Sequence, residues 1–382
     1  ASITEKTLIV GIDVGSETHF ARAFDWRNYE YTRKPFEFSN NEAGFQTFKA
    51  WIEELQEKNG KSVVIPGMEP TGHYWFALGK FLQDNGMNPV HVNPHHVKKS
   101  KELDDNNPNK NDRKDPKTIA GLVNEGRFSY PYIPTGIYAE IRSLSNLRFK
   151  AQEELSRAKN RIARWFTIYF PEYKDVYRDL KAVSGRMVLQ VAPLSEDIRK
   201  LGVEGVNRIW RDAKLRGAGM KRAKTLVSAA EHSVGSKEAP EAARMELRNL
   251  LNDMDVYASR VEELLGMIGE ELKEIPYIDK LMAIKGVGVI TVSGFIAEVG
   301  DIKRFDDPKQ LQKLAGYAIV MNQSGKHKGE SRISYRGRKR LRYVLYEAAL
   351  SLIGRNPEFK AIHEWYYVKI SDNLNYRICN KR

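Results

Sequence analysis

Residues 7–14, TLIVGIDV, form an apolar run that stops at an acid, the signature of a strand buried on both faces of a sheet. The first 130 residues alternate around it. Strand-like runs at 19–26 and 30–38 follow, turned by Arg27 and Asn28. Asn40 or Asn41 can cap a helix whose apolar residues Phe45, Phe48, Trp51, Ile52 and Leu55 share one face. A short strand at 62–67 leads to Glu69, and a helix from about 72–74 runs to Asn85 and Gly86. NPVHV, 88–92, reads as a fifth strand; after a polar, basic stretch, Pro116 opens a helix through Leu122.

The order strand, strand, strand, helix, strand, helix, strand, helix is that of a ribonuclease H-like domain, giving an α/β N-terminal part followed by a mostly α remainder. In such a sheet the first and fourth strands are neighbours. Asp13 and Glu69 at their ends then face each other, while Asp112 and Asp115, at helical spacing i, i+3, project towards them. Oxygen ligands of this kind suit Mg²⁺ or Mn²⁺, and two ions about 4 Å apart can activate an attacking oxygen and stabilise a leaving one. Each acid alone also has a plain reading as a turn residue, a surface acid or a charge at a helix N-terminus.

Composition points to a polyanionic partner. Lys and Arg outnumber Asp and Glu by 62 to 49, giving a net charge of +13 and a pI near 9.4. The single cysteine, Cys379, leaves no intramolecular disulfide, and no signal peptide or membrane-spanning apolar stretch is evident. The expectation is a soluble protein of a reducing cytoplasm, associated with the nucleoid and with no membrane partner.

The segments GIDVGSETHFARAFD, GMEPTGHYWFALGKFL and VHVNPHHVKKSKELDDNNPNKNDRKDPKTIAGLVNEGRF, with AIKGVGVITVSGFIAEVGDIKRFDDPKQLQKLAGY and NQSGKHKGESRISYRGRKRLRYVLYEAAL far downstream, resemble the DEDD-type insertion-sequence transposases. These are relatives of Piv-type DNA invertases with a RuvC-like nuclease domain. The resemblance implies that Asp13, Glu69, Asp112 and Asp115 are a catalytic, metal-binding tetrad. It implies a second catalytic domain whose serine, here Ser324, attacks DNA and holds it as a phosphoserine. It also implies donor and target DNA as partners, a noncoding bridge RNA as guide, and a homo-oligomer, dimer or tetramer. With the serine about two hundred residues from the tetrad, the spacing suggests that it reaches a partner subunit's tetrad, and the sequence leaves action in cis or in trans open. A junction-resolvase-like metal nuclease, or a Piv-type invertase without RNA, remains the alternative.

The local chemistry suits that serine. Gly325 leaves room for a phosphate, and Lys326, Lys328, Arg332, Arg336, Arg338, Lys339, Arg340 and Arg342 supply positive charge, although Ser331 and Ser334 lie nearby. Upstream, IKGVGVITVSGFIAEVGD reads as a helix-hairpin-helix: Ile284 ends one helix, Gly286 and Gly288 permit a tight turn beside Lys285, and 291–299 begins the next. Backbone amides of such a turn can hold a DNA phosphate.

Two long helices lie between. Ile137, Ile141, Leu144, Ala151, Leu155, Ala158, Ile162, Trp165 and Tyr169 form a heptad seam that only Arg148 interrupts, and Leu247, Leu250, Met254, Tyr257, Val261, Leu264 and Ile268 form a second. They can pair as a coiled coil within one chain or between chains. Other faces of the first carry Arg142, Lys150, Arg157, Lys159, Arg161 and Arg164, of which Arg157, Arg161 and Arg164 are candidates for nucleic-acid contact. The expected division is 1–130 nuclease, 131–276 coiled-coil and helical insertion, and 277–382 the serine-bearing domain. Within 171–240, HSVGSKEAP reads as a flexible linker. His91, His95 and His96 suit structural or backbone-contact roles better than a zinc site, and Trp51, Trp75 and Trp165 are core. The closing SDNLNYRICNKR is polar and unpatterned, where the resemblance implies another apolar helix.

Overall fold

The computed structural model describes residues 3–32, 34–104, 115–321, 323–324, 327–329 and 331–379. The chain divides into two compact units, Ala1–Ile133 and Pro134–Arg382.

The first unit is built on a six-stranded sheet, β1 (Thr7–Asp13), β2 (Thr18–Phe24), β3 (Phe36–Ser39), β4 (Val63–Met68), β5 (Val90–Val92) and β6 (Phe128–Ser129), in the order β3-β2-β1-β4-β5-β6. β1 pairs antiparallel with β2 and parallel with β4, and β4 pairs parallel with β5, as expected for the ribonuclease H-like arrangement. Its helices are α1 (Glu42–Asn59), α2 (Trp75–Asp84), α3 (Pro94–Asp104) and α4 (Asp115–Asn124). Asn41 caps α1, its Oδ1 accepting from the Gly44 amide at 2.9 Å.

Side-chain alternation along β1 sorts the two layers. Leu8, Val10 and Ile12 pack with Phe45, Phe48 and Ile52 of α1 and Trp75, Leu78 and Leu82 of α2. Ile9 packs on the opposite face with Ile65, Val90 and Val92 and with Val97 of α3 and Ile119, Ala120 and Val123 of α4. A strand covered on both faces must be apolar at every position, which explains the continuous run.

Two expectations need correction. The strand read at 30–38 shrinks to β3, preceded by a bridge from Phe24 to Glu30; the expected turn at Arg27 and Asn28 is present and is organised by Asp25, whose Oδ1 accepts from the amides of Arg27 (2.7 Å) and Tyr29 (2.8 Å). The basic stretch after β5 is helix α3, with Asn93 as its cap, accepting from the His95 amide at 2.9 Å, and Pro94 at the first turn.

The second unit is helical. α5 (Gly136–Tyr169), α6 (Tyr173–Val176), α7 (Val183–Val191), α8 (Ser195–Asp212, kinked at Gly202), α9 (Met220–Glu231) and α10 (Pro240–Lys273) precede α11 (Ile278–Met282), α12 (Val289–Val299) and α13 (Pro308–Ala315). Four two-residue strands, β7 (Ile319–Val320), β8 (Gln323–Ser324), β9 (His327–Lys328) and β10 (Arg332–Ile333), then lead to α14 (Lys339–Arg355) and α15 (Pro357–Cys379).

The long helices α5 and α10 pair within one chain and run antiparallel. Ile141 and Leu144 near the start of α5 meet Ile268 and Leu272 near the end of α10, while at the other end the Trp165 indole donates to the Ala243 carbonyl at 2.9 Å. Leu155, Ala158, Ile162 and Trp165 share a core with Leu247, Leu250 and Met254, and α6 to α9 close over it with Tyr173, Val188, Ile198, Trp210 and Leu226. Each large side chain buried there contributes about 1.5–3 kcal/mol.

HSVGSKEAP is not a flexible linker. The Ser236 amide donates to Ile168 O at 2.7 Å, the Val234 amide to Glu172 Oε1 at 2.9 Å, and a Cβ on Gly235 would lie 2.1 Å from Tyr169 O. The C-terminal reading also changes, since α15 carries helix through Cys379. Phe359, Ile362, Trp365 and Tyr366 on it are exposed.

Candidate active site

The register of β1 and β4 sets the geometry. Ile12 lies opposite Met68 in a parallel pair, so Asp13, the last residue of β1, and Glu69, the first after β4, end neighbouring strands at the same level. Asp13 has the parity of Ile9 and Gly11, and Glu69 that of Ile65 and Gly67, which is the face covered by α4. Both are half-buried.

α4 lies directly on the backbone of the two strands. Gly11 and Gly67 are register partners. A Cβ on Gly11 would stand 1.9 Å from Pro116 O and 2.8 Å from the Ala120 amide nitrogen, and one on Gly67 would stand 2.4 Å from Val123 Cγ2. The glycine pair thus makes a groove for α4, whose first residue is Asp115. The Asp115 carboxylate is ion-paired with Lys101 of α3. Nothing in the sequence pattern singled out Lys101.

Asp112, the fourth expected acid, lies outside the described residues. Among the described residues no group of three His, Cys, Asp or Glu side chains is placed to hold a metal. The donor chemistry nonetheless fits a hard divalent cation: Asp13 and Glu69 are carboxylates at the ends of neighbouring strands, and Asp115, paired with Lys101, opens the helix that covers them.

The loop after Asp13 is held by His19, whose buried Nδ1 accepts from the Gly15 amide at 3.2 Å. Burial lowers the His19 pKa, in keeping with a neutral ring that keeps Nδ1 free to accept. His91 sits in β5 on the face opposite Asp13, edge-on to Trp75 with ring centroids 4.2 Å apart, and burial brings its pKa down to about 4. His95 and His96 lie in α3, apart from His91.

Both depressed histidines set the same pH trend. Folded and unfolded states are equally neutral above pH 6.5. Below it the unfolded ring takes up a proton that the folded ring refuses, so stability falls between about 6.5 and 4. Urea unfolding across that window is expected to show His91 alone costing no more than about 3 kcal/mol, and His91→Phe flattening the curve. An unchanged pH dependence in the variant contradicts the assignment.

In the second unit Ser324 lies in β8, paired antiparallel with His327 of β9. Lys328 is in β9, and Lys326 lies outside the described residues. Of the expected nucleic-acid contacts, Lys285, Arg332, Arg336, Lys339, Arg157, Arg161 and Arg164 are exposed, Arg157 being paired with Glu154 at 2.5 Å. Arg338 differs. It is bound to the Glu298 backbone carbonyl and lies 3.6 Å from the nearly buried Glu298 carboxylate, so it ties α14 to α12. Arg342 likewise donates to Ala315 O at 2.9 Å.

The turn between α11 and α12 departs from the expectation at both ends and at one glycine. α11 stops at Met282 and α12 starts at Val289. Gly286 has φ 99°, and a Cβ there would stand 2.9 Å from Ser351 O, so the position demands glycine. Gly288 has φ −124°, an ordinary extended cap with open space around it.

Residues 10–171 match the transposase family DEDD_Tnp_IS110, and residues 278–364 match the transposases of the IS116/IS110/IS902 family. The insertion element IS116 44.8 kDa protein of Streptomyces clavuligerus is 26% identical over 348 residues, 91% of this chain and 84% of that protein. The transposase for IS1111A of Coxiella burnetii is 27% identical over 58% of each chain. Among solved structures, T. thermophilus RuvC in complex with a Holliday junction substrate aligns at 13% identity and a TM-score of 0.24, covering 33% of this chain and 99% of its own. No helix among the described residues is long and apolar enough to cross a membrane. With transposase-family matches over residues 10–171 and 278–364 and an IS116 relative matched over 91% of this chain, the chain belongs to the IS110/IS116/IS902-type insertion-sequence transposases.

Proposed function

We propose that this transposase cuts and rejoins DNA with two sets of groups, the acids Asp13, Glu69, Asp112 and Asp115 and the hydroxyl of Ser324. The observation that supports the first half is the register of β1 and β4, which ends Asp13 and Glu69 on neighbouring strands, with α4, opened by Asp115, packed on the backbone at Gly11 and Gly67. The second half rests on the family's second domain and on the cations around Ser324.

The acids would hold Mg²⁺ or Mn²⁺, which when bound supplies positive charge to the phosphate oxygens and lowers the pKa of a coordinated oxygen nucleophile. The protein's own groups then do the following. The Ser324 oxygen forms a bond to phosphorus as the bond to a deoxyribose oxygen breaks, and the proton leaving serine balances the one gained by the departing hydroxyl. Arg332, Arg336 and Lys339 neutralise the charge on the transferring phosphoryl group. In the rejoining step a strand hydroxyl displaces the serine oxygen, restoring Ser324. Residues 1–130 act as the nuclease part, 131–276 as the helical spacer, with α5 and α10 as its coiled coil, and 277–382 as the serine-bearing part, where the turn at Lys285 and Gly286 serves as a phosphate-binding helix-hairpin-helix. A bridge RNA pairing with donor and target DNA supplies the sequence specificity, acting on a dimer or tetramer.

Incubation with end-labelled substrate DNA and Mg²⁺ should yield a covalent protein–DNA adduct that Ser324→Ala abolishes, with strand exchange falling at least about 10³-fold. Cleavage that persists in Ser324→Ala without an adduct rejects the serine and leaves the resolvase-like reading. Purification with a defined RNA supports guidance; site-specific cleavage by RNA-free protein rejects it.

A further inference from the structure

Arg148 breaks the apolar seam of α5, and it lies where the core itself divides. Ile141 and Leu144 belong to the cluster shared with α12, while Leu155 and Ala158 belong to the cluster closed by α6 to α9. The side chain is half-buried and, among the described residues, its Nε has no hydrogen-bond partner and no ion pair involves it. One turn earlier, Ser145 is 7% exposed and its hydroxyl is also without a partner. Two polar groups capable of donation are therefore unused on one face of one helix.

The neighbour across the gap is a second guanidinium. Arg340, in the first turn of α14, lies over the Phe149 ring with its guanidinium carbon 4.3 Å from the centroid and bonds to Asn146 Oδ1. Stacking and that bond fix its plane and leave donors over. Burial, then the charge of Arg340, lowers the Arg148 pKa, while Tyr343, one turn on in α14, raises it. A half-buried cation beside a like charge, with no acid paired to it among the described residues, is unfavourable unless an anion joins it.

We propose that Arg148 and Arg340, with the Ser145 hydroxyl, form a seat for one phosphodiester of a nucleic-acid backbone, gripped by two guanidinium forks rather than read by sequence. Planar forks suit phosphate oxygens, and contacts of this kind position a strand without specifying bases. Arg340 follows β10 by only the loop 334–338, so the held strand passes the root of the segment bearing Ser324. The inference rests on the reading of the protein as a nucleic-acid enzyme, but it adds a residue of the helix pair to the binding surface.

The test uses full-length protein and fluorescence anisotropy over a salt series, with a DNA duplex in one arm and an RNA hairpin in the other. Each phosphate contact contributes roughly 0.9 to the slope of log K against log salt for duplex DNA. Arg148→Met should lower the slope by about that amount in at least one arm, which identifies the strand held, with a Tm equal to or above that of the parent. Arg148→Lys, retaining the charge, should keep the slope. An unchanged slope in both arms for folded Arg148→Met overturns the proposal. If Arg148→Met lowers Tm, Arg340→Gln decides: its slope must fall by the same amount, and an unchanged slope overturns the seat. Wild-type protein that binds neither nucleic acid would overturn the proposed function as well, whereas normal wild-type binding with an unaltered mutant slope removes this inference alone.

Discussion

If the proposed acids hold Mg²⁺, Asp13→Asn is expected to reduce DNA strand cleavage at saturating Mg²⁺ by at least about 10³-fold, because it removes a negative oxygen from that set. Folding should be spared. Asn is nearly isosteric and keeps a side-chain oxygen able to accept hydrogen bonds. The change in Tm is expected to stay within about 2 °C. Glu69 ends the adjacent strand on the same face, so Glu69→Gln should match the loss, and the double variant should be scarcely worse than either, as groups acting as one unit are non-additive. Cleavage at near wild-type rate in a folded Asp13→Asn protein would dismiss the carboxylate site.

The second large effect concerns a residue with no functional group. Gly11→Ala puts a methyl 1.9 Å from the Pro116 carbonyl oxygen, a backbone atom that moves only if α4 moves. Overpacking of this kind costs about 1–3 kcal/mol, and the rigid neighbour places it at or above the upper end. Denaturant unfolding should show that loss. Cleavage should fall with it even at temperatures where the variant is folded, because lifting α4 displaces Asp115, its first residue and one of the proposed metal ligands. Gly67→Ala is the control: its methyl meets a side-chain atom, Val123 Cγ2, at 2.4 Å, so a smaller loss of stability and activity is expected. Equal effects of the two substitutions would show that α4 is not seated as described.

The sheet was legible because its signals are local. The run 7–14, the cap Asn41 and the acids ending two apolar runs each announce themselves within a few residues, and parallel pairing of the first and fourth strands follows from the order of elements. The turn at Arg27 and Asn28 was legible, though not that Asp25 would organise it; the helix after β5 was not, although Asn before Pro is a cap signal that the basic composition of 93–101 obscured. Other features leave no mark in a single segment. Lys101 meets Asp115 only through the packing of α3 and α4, and Arg338 binds Glu298 across 40 residues. The run of cations after Ser324 therefore looked uniform in sequence, while the structure divides it into exposed charges and tethers such as Arg338 and Arg342. Arg148 was visible as the odd residue of its seam, but its company was not.

The fastening of 232–239 along the end of α5 has a mechanical consequence. Gly235 is pressed against the Tyr169 carbonyl, Ser236 is bonded to Ile168, and the Trp165 indole holds Ala243. Sliding α10 by one turn, about 5.4 Å, would break all three at once. The helix pair is a strut and not a ratchet: it can swing or carry load as one piece, and any stroke that accompanies strand exchange has to be taken up at joints beyond it.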